Sequence, residues 1–150
     1  MGTITVLYTK RKWQPGSILI RYFMPRSRFH MALSSHALIK DGDYLIEASM
    51  THGVRRELAE VAMKGLTLVK TVEYNVPNPD DGLSWARTQV GLPYDFKGAM
   101  GVALSPDRDW TEPDCWFCFE LVAATLLAAG KEYFRSTGHI TDSMLLTIKP

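Results

Sequence analysis

Ser35-His36-Ala37-Leu38-Ile39-Lys40-Asp41-Gly42-Asp43-Tyr44-Leu45-Ile46-Glu47-Ala48, residues 35–48, sets two apolar runs either side of an Asp-Gly-Asp turn signal. Asp-Gly readily adopts the positive φ of a tight turn, so the stretch predicts a β-hairpin with strands over 35–40 and 44–48. Working outward, residues 3–9 are rich in β-branched side chains and predict a strand. Residues 66–74 alternate, with Leu66, Leu68, Val72 and Tyr74 on one face and Thr67, Thr71 and Glu73 on the other, which predicts another. Residues 17–24 fit either a strand or a short buried helix ending before Pro25.

Helical signals lie between and after these strands. Residues 55–64 predict one short helix closed by Gly65. Pro77-Asn78-Pro79-Asp80 reads as a turn, with Asp80 or Asp81 capping a helix striped by Leu83, Ala86 and Val90 and stopped by Gly91 and Pro93. Residues 94–113, with Gly98, Gly101, Pro106 and Pro113, read as loop. Residues 114–129 predict the strongest helix, stopped by Gly130. It is apolar nearly all round (Phe117, Leu121, Val122, Ala123, Leu126) and is therefore expected to be the buried central helix. A final strand is expected over 144–148. The order predicts an α+β fold with a mostly antiparallel sheet, in one domain spanning 1–150.

Composition narrows the function. Seventeen Lys and Arg against sixteen Asp and Glu leave a formal charge of +1, which favours neither nucleic acid nor an anionic membrane. The basic residues near the start (Lys10, Arg11, Lys12, Arg21, Arg26, Arg28) read as a solvated face. No run reaches the ~20 apolar residues of a membrane span. The first residues lack the charged and apolar regions of a signal peptide. Two cysteines make no disulfide framework, so a reducing, cytoplasmic setting is the default.

One cysteine stands where chemistry is favoured. Cys118 falls in the first turns of the predicted buried helix, where backbone N–H groups and the helix dipole stabilise a thiolate. His36 opens the first hairpin strand, so the sheet holds its backbone while the ring reaches a neighbouring helix start as a general base. Glu47 lies near the end of the second strand, opposite or diagonal to His36, where a carboxylate orients an imidazole. Cys115-Trp116-Phe117-Cys118 resembles half a zinc site, but no second Cys pair exists and His139 is the sole downstream histidine. Cys115 is therefore read as an incidental neighbour, and no metal or cofactor is expected. His30, His52 and His139 show no partner pattern and read as surface or loop residues.

These segments together resemble a known family. The His36 hairpin is similar to the His-strand-turn-strand motif of the NlpC/P60 superfamily, and Gly91-Leu92-Pro93-Tyr94-Asp95 to its Gly-x-Pro-Tyr segment. Cys118-Phe119-Glu120-Leu121-Val122 resembles its Cys-Ser-x-Leu-Val nucleophile motif, with Phe119 departing from the usual Ser. His36 and Glu47 precede Cys118, an order resembling the circularly permuted branch that includes the YiiX/YebB-like proteins, and Gly53-Val54 fits that branch too. The resemblance implies a permuted papain-like fold with Cys118 as nucleophile, His36 as base, Glu47 as orienting residue and Tyr94 as an active-site tyrosine. It implies hydrolysis of an amide or peptide bond in a small substrate, with cell-wall peptide a candidate. Lipid acyl-ester chemistry of the lecithin:retinol acyltransferase type, or a silent binding module on the same fold, are the alternatives it leaves open.

Overall fold

The structure, a computed structural model, describes residues 1–11, 34–104, 114–133, 140 and 142–147. Strands β1 (Gly2–Lys10), β2 (His36–Asp41), β3 (Tyr44–Ser49), β4 (Gly53–Leu58) and β5 (Thr67–Val76) form one sheet in the order β4-β3-β2-β1-β5. Every pairing is antiparallel. The hairpin forms as its sequence predicts, with one refinement. Asp41 pairs with Tyr44 and Gly42 takes φ 62°, so Asp41 belongs to the strand and the loop is the two residues Gly42-Asp43. Glycine at the first loop position is the pattern of a type II′ turn, whose twist matches that of the strands.

Alternation along the strands gives the sheet two buried faces. Ile4, Val6 and Tyr8 of β1 meet Val72, Tyr74 and Val76 of β5 in the main core. Leu7, Leu38 and Leu45 point the other way into a smaller cluster with Ala62. Leu68, expected on the face of Val72 and Tyr74, is 49% exposed. The β1/β5 register shifts between Tyr8 and Thr9, so Leu68 pairs with Thr9 and is carried off the core face.

Three expectations are corrected. Residues 55–64 are not one helix: β4 continues to Leu58, and only Ala59–Ala62 (α1) is helical. Pairing with β3, including Glu47 opposite Arg55, overrides the helix propensity of Arg-Arg-Glu-Leu. Residues 94–113 are not all loop, because Phe96–Leu104 forms helix α3. Asp95 starts it, its Oδ1 accepting the Gly98 N–H at 2.7 Å in the manner of an N-cap. The expected final strand is instead helix α5 (Asp142–Thr147), whose Leu145 is buried and whose carbonyl accepts the Tyr74 hydroxyl at 3.0 Å. The segment 17–24 lies outside the described residues.

Helix α2 (Pro79–Thr88) begins after Asn78, with Asp80 and Asp81 in its first turn; they complement the dipole there and do not cap it. Val90 falls beyond its end and is exposed. Ala86 is fully buried, and so is Gly82, where α2 packs on helix α4 (Cys118–Ala128). A Cβ on Gly82 would lie 2.8 Å from both Ala129 Cβ and the Thr125 carbonyl oxygen. Helix propensity alone favours alanine there by about 1 kcal/mol. Backbone crowding cannot relax as a flexible side chain can, and overpacking costs about 1–3 kcal/mol. Gly82→Ala is therefore expected to lower stability, measured as a fall in the urea midpoint; a rise would show that the α2–α4 contact yields.

Helix α4 is the centre of the fold. It starts at Cys118, four residues later than the sequence predicts, because Asp114 takes φ 68° and Trp116 is drawn into a bridge with Tyr94. Every side chain from Cys118 to Leu126 is buried. Phe119, Leu121, Val122 and Leu126 each contribute about 1.5–3 kcal/mol by burial. Gly130, at φ 83°, ends it: the Lys131 N–H bonds the Leu126 carbonyl and the Gly130 N–H that of Leu127, a Schellman stop. Asp41 staples the hairpin to β4 and α2, its buried carboxylate accepting from Arg56 at 2.6 Å and Arg87 at 2.5 Å.

Candidate active site

The β2/β3 ladder runs from Asp41↔Tyr44 to Ile39↔Ile46. His36 at the start of β2 and Glu47 near the end of β3 lie beyond it, on segments held instead by β1 and β4. There the His36 Nε2 meets Glu47 Oε2 in a hydrogen bond. Arg55, directly across from Glu47 on β4, donates from Nε to the other oxygen, Oε1, at 2.7 Å. Both carboxylate oxygens are thus engaged, one by the imidazole and one by the guanidinium. Burial alone would raise Glu47, but His36 and Arg55 outweigh it and hold the carboxyl below its usual range.

Cys118, the first residue of α4, lies near enough to the imidazole to act on its protonation. Burial would depress the imidazole. Its interactions with Cys118 and Glu47, with the negative charge on each, prevail and push it up to about 10. The surroundings of His36 therefore favour its imidazolium form.

Tyr94 arrives by backbone pairing. The Trp116 N–H donates to the Pro93 carbonyl at 3.2 Å and the Asp95 N–H to the Trp116 carbonyl at 3.0 Å, clipping Tyr94 alongside the chain that leads into Cys118. Burial pushes the Tyr94 phenol well up, reinforced by the negative charges of Cys118 and Asp95. Trp116 is fixed in turn by Gln89, which accepts its indole N–H at 3.0 Å, and by the edge of Trp85. A second clip joins two short motifs far apart in sequence: the Val54 N–H bonds the Leu92 carbonyl, and the Gly91 N–H bonds that of Val54, each at 2.8 Å. Gly53 has φ 67°, and a Cβ there would run into the Leu92 carbonyl, so only glycine lets this clip close.

A cavity of about 120 Å³ opens beside the imidazole, walled by Ser35, His36, Glu47, Arg55, Tyr94 and the turn 49–52. Cys118, 3% exposed, is not on its wall. His52, read from the sequence as a loop residue, does occupy a turn, but that turn is the cavity rim.

Cys118, His36, Glu47 and Tyr94, singled out by sequence, are thus brought together. Cys115 lies outside α4, in the segment before it. Arg55 escaped notice because its segment reads as helix, and the unbroken charged run Arg55-Arg56-Glu57 carries no apolar alternation to mark a strand. Among the described residues no three His, Cys, Asp or Glu side chains gather as a metal site. None of the described helices is long and apolar enough to cross a membrane. No protein-family model, curated protein or solved structure matches this chain.

Proposed function

We propose that the protein is a cysteine hydrolase of the permuted papain-like class, cleaving an amide or peptide bond. The observation that carries this reading is the gathering of Cys118, His36 and Glu47: a thiol at a helix start, an imidazole near enough to respond to it, and a buried carboxylate on that imidazole's Nε2. A thiolate beside an imidazolium is a nucleophile already paired with its proton donor. The Cys118 sulfur attacks the carbonyl carbon, and the proton on His36 passes to the leaving nitrogen as the C–N bond breaks. Water then attacks the thioester, giving up its proton to His36, and the acid is released. Phe117 at the N-cap provides no side-chain cap, so the first N–H groups of α4 are candidates to hold the oxyanion.

Selective alkylation tests the reading. Iodoacetamide at neutral pH is expected to modify Cys118 ahead of Cys115, with hydrolysis lost in step, as peptide mapping would show. An unreactive Cys118 would favour a silent binding module on the same frame.

A further inference from the structure

The cavity adds something the triad alone does not: a side and a charge for the substrate. His36 lines it whereas Cys118 does not. In acyl transfer the acyl carbon bonds to sulfur, while the leaving group accepts its proton from the imidazole, so a cavity on the His36 side lies where the leaving group departs. Its walls carry donors: the Arg11 guanidinium, which also reaches the Lys64 carbonyl at 3.5 Å, the Ser49 and Thr51 hydroxyls and the His52 ring, while Arg55 is turned to Glu47. The turn that carries three of these is internally bonded, Ser49 Oγ to Thr51 Oγ1 at 3.1 Å and Thr51 Oγ1 to His52 Nδ1 at 2.7 Å, so its polar atoms are held in place. Among the described residues the one wall carboxylate is Glu47, and both its oxygens are already engaged by His36 and Arg55. From these described residues an incoming anion therefore meets donors and no uncompensated negative charge. Ala48, Ala62 and Leu66 supply a small apolar floor. At about 120 Å³ the space is well below the ~300 Å³ at which drug-sized ligand pockets begin. It accommodates a group of amino-acid size.

We propose that the leaving group of the reaction is an amino acid with a free carboxylate, seated in this cavity against Arg11 and the turn 49–52. This rests on the cysteine-hydrolase reading and narrows it: the enzyme would trim an amide whose amine side ends in a carboxylate. The step balances as the thiolate forms the thioester, the C–N bond breaks, the His36 proton goes to nitrogen, and the amino acid leaves with its carboxylate unchanged.

The test compares acetyl-alanyl-alanine with acetyl-alanyl-alanine amide, following release of alanine or alaninamide. The free acid is expected to be cleaved at least tenfold better in kcat/KM. Arg11→Gln should bring that ratio close to one, and Arg11→Lys should keep part of it. Equal rates, or a preference for the amide, overturn the proposal while leaving the hydrolase intact. A binding arm needs no catalysis: the Cys118→Ala protein is titrated with the same two dipeptides and followed by NMR shifts. At least tenfold tighter binding of the acid, lost in the Arg11→Gln background, supports the subsite even if neither compound is cleaved. Indifference to the carboxylate, or saturation by neither dipeptide, overturns it. Failure of the hydrolase reading shows separately, as a Cys118 that resists iodoacetamide.

Discussion

Replacing Cys118 by Ala is expected to lower kcat/KM by at least about 10⁴-fold, while Cys115→Ser leaves most activity in place. Both cysteines are outside any disulfide, buried and three residues apart, so neither burial nor sequence neighbourhood separates them. Position does. Cys118 is the first residue of α4 and lies near His36, whereas Cys115 sits between Asp114, at φ 68°, and Trp116, which is tied into the Tyr94 bridge. Only Cys118 has both a base and the helix start behind it. Loss of one sulfur from a small buried side chain costs little packing, so Cys118→Ala should fold with a near-normal urea midpoint. Equal losses from the two cysteine substitutions, with both proteins folded, would remove Cys118 from the role of nucleophile.

The second large effect concerns His36 and the carboxylate behind it. His36→Ala removes the proton carrier and is expected to lower kcat about 10²–10⁴-fold. Glu47→Gln keeps the ring and a polar partner, so its loss should be smaller, roughly ten- to a hundredfold. The pH profile makes the distinction sharper. Protonated His36 gives up its proton to the leaving nitrogen, so wild-type kcat/KM should fall on the alkaline side near pH 10, the value to which Cys118 and Glu47 raise the imidazole against its burial. Removing the Glu47 charge withdraws part of that support, and the alkaline limb of Glu47→Gln should move to lower pH. An unmoved limb, or a loss as large as that of His36→Ala, would mean that Glu47 acts in the chemistry directly.

Stability follows the same groups with opposite signs. A histidine raised in the folded state stabilises fully below its ordinary value of 6.5, and that contribution fades as pH climbs to about 10. Glu47, lowered in the folded state, stabilises above its ordinary 4.5, and its contribution is lost as pH falls below that value. The urea midpoint should therefore decline between pH 6.5 and 10, and decline less in His36→Gln.

Much of the frame was legible in the residues because it depends on local periodicity. Two β-rich runs around Asp41-Gly42-Asp43 admit little but a hairpin, and a hairpin carries His36 and Glu47 to its open end whatever surrounds it. The apolar run that ends at Gly130 needs burial on every side, which makes α4 central before any partner is known. Where propensity and pairing disagree, the residues misled. Arg55-Arg56-Glu57-Leu58 has a helix former's composition and runs without a break into the helical Ala59–Ala62. Gly98 and Gly101 weaken a helix by about 1 kcal/mol each and hid α3, whose start is secured by the Asp95 cap.

By itself, then, the sequence determined the α+β class, the hairpin, the central helix and the choice of Cys118, His36 and Glu47 as the residues to look at. Tertiary structure alone decided what those residues touch. Arg55 answers the second oxygen of Glu47 only because β4 lies beside β3. Tyr94 comes alongside the segment leading into Cys118 only because Gly53-Val54 and Trp116 clip its loop from two sides. The cavity exists only where β2 and β3 run past the end of their ladder. The physical reason is range: propensity and periodicity act over a few neighbouring residues, whereas these contacts join segments dozens of residues apart and form only when the whole sheet and α4 pack together.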